Sequence, residues 1–151
     1  MKKIILQTTA ILLMLAGIVA CGKEENEKHS TEIPLTEYSL TNTNCQWVNL
    51  DYNGSVIVIN SKTELEKYIT CTEGTFPEID FAKNTLLIAC GSTTNGIQYI
   101  QKKFFKKINM YMLEIEITLN DATVAQPWIA TLVTNKLSVN NVELNVITIK
   151  N

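Results

Sequence analysis

The chain has 151 residues, 46% of them hydrophobic and 19% charged, with 13 lysines, no arginine and a formal net charge of −2 at pH 7. This balance argues against a nucleic-acid partner, and the missing arginines remove the planar fork that grips phosphates and carboxylates bidentately. The single histidine, His29, lies near the N-terminus, so Ser-His-Asp and Cys-His constellations are disfavoured.

Lys2 and Lys3 precede an apolar run from Ile4 to Ala20, and residues 1–20 read as a signal peptide. The run sits at the short end of the roughly 17 to 25 residues that a spanning helix needs. The stretch Ile18-Val19-Ala20-Cys21 resembles the lipobox of bacterial lipoproteins. That resemblance implies cleavage before Cys21, a diacylglycerol on its thiol and further acylation of the new N-terminus. Two or three acyl chains hold a protein stably where one is marginal.

Gly22 stands where an inner-membrane retention signal would place aspartate. Lys23, Glu24, Glu25 and Glu27 resemble the short charged signal that sends some lipoproteins to the outer face of the outer membrane; a solvated tether is the plainer reading. Residues 21–42 are poor in core-forming side chains and read as lipid anchor and flexible tether. Residues 43–151 read as a single globular domain with a modest core. Without Lys2 and Lys3, 11 lysines face 15 acids, a net charge of −4.

Within that domain, Asn53-Gly54 between two strand-like runs signals a hairpin, since both turn residues tolerate positive φ. Ser61 and Glu64 form a capping box, and Leu65, Tyr68 and Ile69 share a helical face, predicting a short helix over 61–70. "FAKNTLLIAC" reads as a buried strand ending at Cys90, followed by a loop "GSTTNG" and a strand "IQYIQKKF". "MYMLEIEITLN" alternates, with Leu113, Ile115, Ile117 and Leu119 facing in and Met112, Glu114, Glu116 and Thr118 facing out. "WIATLVTNK" and "VELNVITIK" supply the last two strands. The fold class expected is α+β to mainly β: an antiparallel-rich sheet or sandwich of about seven strands with one short helix.

With Cys21 committed to lipid, Cys45, Cys71 and Cys90 allow one disulfide and one leftover thiol in an oxidising compartment. A parallel strand-helix-strand crossover through the 61–70 helix would bring Cys90 to Cys45, so Cys45–Cys90 is the pair expected; three buried free thiols are the alternative. No C-x-x-C occurs and a four-ligand zinc site cannot be assembled, so no metal and no cofactor are expected. Glu114 and Glu116 share a strand face about 7 Å apart, within glycosidase separations, although such alternation is also what a solvated sheet face looks like.

Lys102, Lys103, Phe104, Phe105, Lys106 and Lys107 form the sharpest charge feature. They would contact an anionic glycan, lipid headgroup or acidic protein, or else protect a strand edge from aggregation. Trp128, after Pro127, and Trp47 would be stacking platforms for a glycan if exposed, and core residues if buried.

"INSKTELEKYI", "PEIDFAKNTLLIACGSTTNGIQYIQK", "YMLEIEITL" and "VAQPWIATLVTNK" together resemble anchored bacterial lipoproteins of unassigned function. Their order over residues 57–149 is similar to the C-terminal domain of the PrcB type, named for a lipoprotein subunit of a surface protease complex. In that pattern Thr63 to Ile69 match a helix, Asp80-Phe81 a strand start, Gly91 to Gly96 a glycine-bearing turn and Pro127 a loop. The resemblance implies a non-enzymatic accessory module and brings no catalytic residues.

A rival resemblance is to chagasin-like cysteine-protease inhibitors, in which Thr93, Thr94, Asn95, Gly96, Pro127 and Trp128 would be the wedge contacts. The helix at 61–70 is foreign to that fold. The expectation is therefore a cell-envelope lipoprotein, anchored to the outer membrane, that binds an envelope protein or a glycan and catalyses nothing. Glycan binding and protease inhibition are the alternatives.

Overall fold

The computed structural model describes residues 30–150. The expected signal peptide, Cys21 and His29 lie outside the described residues. In chain order the described elements are β1 (Thr31–Glu32), β2 (Thr36–Glu37), β3 (Cys45–Trp47), β4 (Val56–Ile59), α1 (Lys62–Leu65), β5 (Ile69–Cys71), β6 (Asn84–Thr93), β7 (Ile97–Lys106), β8 (Tyr111–Leu119), β9 (Gln126–Asn135) and β10 (Val142–Lys150). The protein is mostly β and antiparallel-rich, as expected, but with ten described strands rather than seven.

Two four-stranded sheets, ordered β1-β7-β8-β10 and β2-β9-β6-β4, face each other, and a two-stranded ribbon β3-β5 lies apart. Every pairing is antiparallel except β8 with β10. Parallel neighbours need a crossover. Here the chain leaves β8 for the opposite sheet, runs along β9, and returns as β10.

Alternation on β8 places Leu113, Ile115, Ile117 and Leu119 in the core between the sheets, as the sequence predicts. Leu87 and Ala89 of β6, Phe104 of β7, and Trp128, Ala130 and Leu132 of β9 meet them there. A second core lies on the far side of β6, where Leu86 and Ile88 pack with Ile59, Leu65, Ile69, Tyr38 and Leu40. Being covered on both faces, β6 carries the continuous apolar run Leu86 to Cys90.

The helix is shorter than predicted. Ser61 Oγ accepts the Glu64 N–H at 3.2 Å, and the Glu64 carboxylate accepts the Asn60 N–H at 2.7 Å, a capping box displaced by one residue. Yet the helix ends at Leu65, because Ile69 to Cys71 leave as β5 to pair with β3. β-branched Ile69 and Thr70 suit a strand better than a last helical turn.

Four further expectations are corrected. Residues 31–40 belong to the folded domain and not to a tether: Thr31–Glu32 pairs with β7, Thr36–Glu37 with β9, and Tyr38 and Leu40 are buried. Asn53-Gly54 does turn, with Gly54 at φ 77°, but its flanks do not pair with each other. β4 pairs with β6, antiparallel and not parallel, which buries Ile59. The "GSTTNG" loop shrinks, since Gly91, Ser92 and Thr93 continue β6 against β9.

Candidate functional site

The disulfide joins Cys45 to Cys71, not to Cys90. The two residues stand directly opposite in the β3-β5 ribbon, with Cα atoms 3.9 Å apart. The Cys45–Cys90 expectation fails because it required a parallel crossover between β4 and β6. Cys90 is instead a buried thiol whose Sγ donates to the Asp51 carbonyl at 3.4 Å. Burial, and then the nearby Asp51 charge, push its pKa up, so the thiol stays protonated and is a poor nucleophile.

The lysine-rich strand is not one patch. Phe104 is fully buried between the sheets and stacks on Tyr111, with ring centroids 5.6 Å apart, so it is no partner contact. Strand alternation sends Lys102 to the inner edge, where it pairs with Glu37 of β2. Lys103 and Phe105 turn to the outer face, opposite Glu114 and Met112. Lys106 is exposed and Lys107 half-buried, its backbone N–H donating to the Met110 carbonyl in the turn to β8. Glu114 faces Lys103 and accepts from Asn145 Nδ2 at 3.2 Å, while Glu116 lies between Gln101 and Ile147. That arrangement is a half-buried sheet face.

Trp128 is only 7% exposed and closes the core, which removes it as a surface platform or a wedge contact. It packs flat on Gly91, its cross-strand partner; a Cβ at Gly91 would lie 2.7 Å from Trp128 Cζ2. Pro127 pairs with Ser92, and Thr93 is buried, its Oγ1 donating to the Asn95 carbonyl at 2.6 Å. Thr94 and Asn95 form the turn, and Gly96 ties it to the next loop by donating to the Ala122 carbonyl at 2.8 Å.

One side of the sandwich is left open. β4 begins at Val56, opposite Ala89, so residues 90–93 of β6 have a strand neighbour only in β9. Across from them β10 ends the other sheet, paired only with β8. Between the two lies a cleft of about 310 Å³, floored by Ile117 and Trp128 and walled by Ser92, Val146 and Thr148, with Tyr52 at its mouth. Tyr52 is 57% exposed and Val146 42%. Chemically the cleft offers an apolar floor beside unpaired strand edges, whose alternate N–H and C=O groups are obligatory hydrogen-bonding groups.

A second hollow, of about 300 Å³, lies between α1 and residues 75–81, walled by Leu65, Phe76, Ile79 and Phe81 with Lys62 and Glu78 at the rim. Its apolar walls belong to the second core and it has no free strand edge.

Sequence reasoning missed the open side. The available signal was "VITIK", residues 146–150, whose first four residues are all β-branched and do not alternate as those of β8 do. Such a run suits a strand covered on both faces, yet Val146, Ile147 and Ile149 are exposed. Comparisons with protein-family models, with curated proteins and with solved structures find no match to this chain.

Proposed function

We propose that this protein is a lipid-anchored component of the bacterial cell envelope whose β-sandwich binds another envelope protein and performs no reaction. The observation that carries the binding reading is the open cleft, where the edge of β6 at residues 90–93 stands uncovered above an apolar floor. An extended segment of a partner adds to such an edge by main-chain hydrogen bonds, with alternate side chains seated in the floor. The partner segment takes the place that β4 would fill if it began four residues earlier.

The anchor reading rests on the Ile18 to Cys21 stretch and its charged follow-on. The resemblance to PrcB-type C-terminal domains points the same way, toward an accessory subunit.

The test is affinity capture from detergent-solubilised envelope with three full-length baits: the wild type, Ser92→Lys/Thr148→Lys, and a variant with Lys102, Lys103, Lys106 and Lys107 changed to serine. A protein held stoichiometrically by the wild type and by the serine variant, but lost with the cleft variant, is the expected result. Loss with the lysines alone, or no co-purifying protein, overturns the cleft reading. For the anchor, Cys21→Ser is expected to release the protein from the membrane fraction; unchanged membrane association would overturn it.

A further inference from the structure

The strand registers give the sandwich two unlike ends. At one end lie the turn from β7 to β8 (residues 107–110) and the connection from β9 to β10 (residues 136–141), because Val142 stands level with Tyr111. Residues 106–110 and 136–142 hold Lys106, Lys107 and Lys136 and no acid. At the other end, residues 49–55, 94–96 and 120–125 hold Asp51 and Asp121 and no lysine, and Lys150 closes β10 there. Among the described residues the ion pairs are Lys83–Asp80 and Lys102–Glu37, so the charges of Lys106 and Lys107 have no carboxylate partner. Glu32 and Glu143, the acids on the flanking strands, stand one step further in, opposite Phe105 and Met112.

The basic end also carries apolar side chains with no core to join. The Lys107 N–H donates to the Met110 carbonyl and closes a tight turn with Ile108 and Asn109 at its corner. Turn corners favour glycine, proline, asparagine, aspartate and serine, whereas a β-branched isoleucine suits a strand. Ile108 is 74% exposed, more than any other large apolar side chain among the described residues, and Met110 and Val139 are exposed beside it. Lysines next to uncovered apolar side chains are the composition of a segment that lies in a membrane interface.

We infer that this end rests on the bilayer, with Lys106 and Lys107 against the phosphates of an anionic lipid surface and Ile108 and Met110 in the boundary between headgroups and acyl chains. The inference rests on the proposed anchor at Cys21, and the place where the chain enters the domain selects this occupant. Thr31 pairs with Lys106 and Glu32 with Phe105, so the chain enters at the basic end and runs inward. Thr31 follows Cys21 by ten positions, which reach at most about 35 Å when fully extended. A lipid on Cys21 therefore holds the lysines close to the headgroups, where their attraction to an anionic surface is felt within a Debye length. The cleft floored by Ile117 and Trp128 opens toward the opposite end, where Tyr52 and residues 91–93 lie, so docking at the basic end leaves it free for a partner.

The experiment uses the full-length chain with an environment-sensitive fluorophore at Ile108→Cys or, for comparison, at Val124→Cys, which is 67% exposed at the acidic end. Each is reconstituted with vesicles of phosphatidylcholine alone or of phosphatidylcholine with phosphatidylglycerol, and the unsubstituted chain treated alike is the blank. Flotation with the vesicles reads the anchor, and the emission reads the docked end. The expected result is flotation with both vesicles, a blue shift at position 108 only where phosphatidylglycerol is present, no shift at position 124, and loss of the shift at high salt or in Lys106→Ser/Lys107→Ser. The same blue shift with flotation confined to the phosphatidylglycerol vesicles supports the docking surface while the anchor reading fails. Flotation with both vesicles but no shift at position 108, equal shifts on the two lipids, or equal shifts at positions 108 and 124 overturns the inference and leaves the anchor standing. No flotation with either vesicle overturns both.

Discussion

Cys45, Cys71 and Cys90 illustrate how single side chains are committed by their neighbours. The Cys45–Cys71 bond spans 26 positions, and closing a loop of that size stabilises by on the order of 3 kcal/mol through the unfolded chain. The Cys45→Ser/Cys71→Ser variant is expected to show a denaturant midpoint lowered to match, and reducing agent should no longer change it. Cys90 should react with iodoacetamide only on unfolding, given its burial and raised pKa. Tyr38 is buried and its hydroxyl donates to the Pro77 carbonyl at 2.7 Å. Burial pushes its pKa from the ordinary 10.0 up to about 12. An ionisable group held protonated in the fold contributes stability that is complete below the unfolded value and is lost as pH rises. Stability should therefore fall between about pH 10 and 12, and Tyr38→Phe should flatten that decline, as read by denaturation at a series of pH values. At Gly91 an added methyl meets the Trp128 ring, so Gly91→Ala should cost about 1–3 kcal/mol by overpacking and change the tryptophan fluorescence.

Among the elements, β8 was fully legible because its hydrophobic period of two survives into a sheet with one buried face. β7 was legible as a strand but not in its facing. Only the register with β8 and the crossing to Glu37 decided that Phe104 goes in while Lys103 goes out. Lys102→Ser should shift stability by less than about 1 kcal/mol, since the Glu37 carboxylate is largely exposed. The joint between β4 and β6 behaves differently. Thr85, fully buried, donates to Asn60 Oδ1 at 2.7 Å and accepts the Leu137 N–H at 3.0 Å, and Lys136 Nζ donates to the Asn60 and Phe81 carbonyls at 3.1 and 2.9 Å. Thr85→Val leaves two polar groups there without partners and should destabilise by about 1–3 kcal/mol, measured as a lowered midpoint with an unchanged slope. The 61–70 helix was misread because a capping box marks where a helix starts; its end was set by the pairing of β5 with β3.

At the scale of the whole molecule, the two cores lie on opposite faces of β6, and the stretch of β6 beyond the end of β4 defines the open side. The cleft exists because β4 is short where β6 is long. No local pattern encodes that mismatch. By itself the sequence determined the apolar run before Cys21, the mostly β character, the inward face of β8, the start of the helix, and the lack of arginine and of any histidine beyond His29. Each of these depends on residue type or on contacts within a few positions along the chain. Only the tertiary structure decided the Cys45–Cys71 pairing, the burial of Trp128 and Phe104, the recruitment of residues 31–40 into the domain, and the open edge. Each of those depends on which distant strands become neighbours, and that follows from the sum of burial over two cores and not from any one segment's pattern.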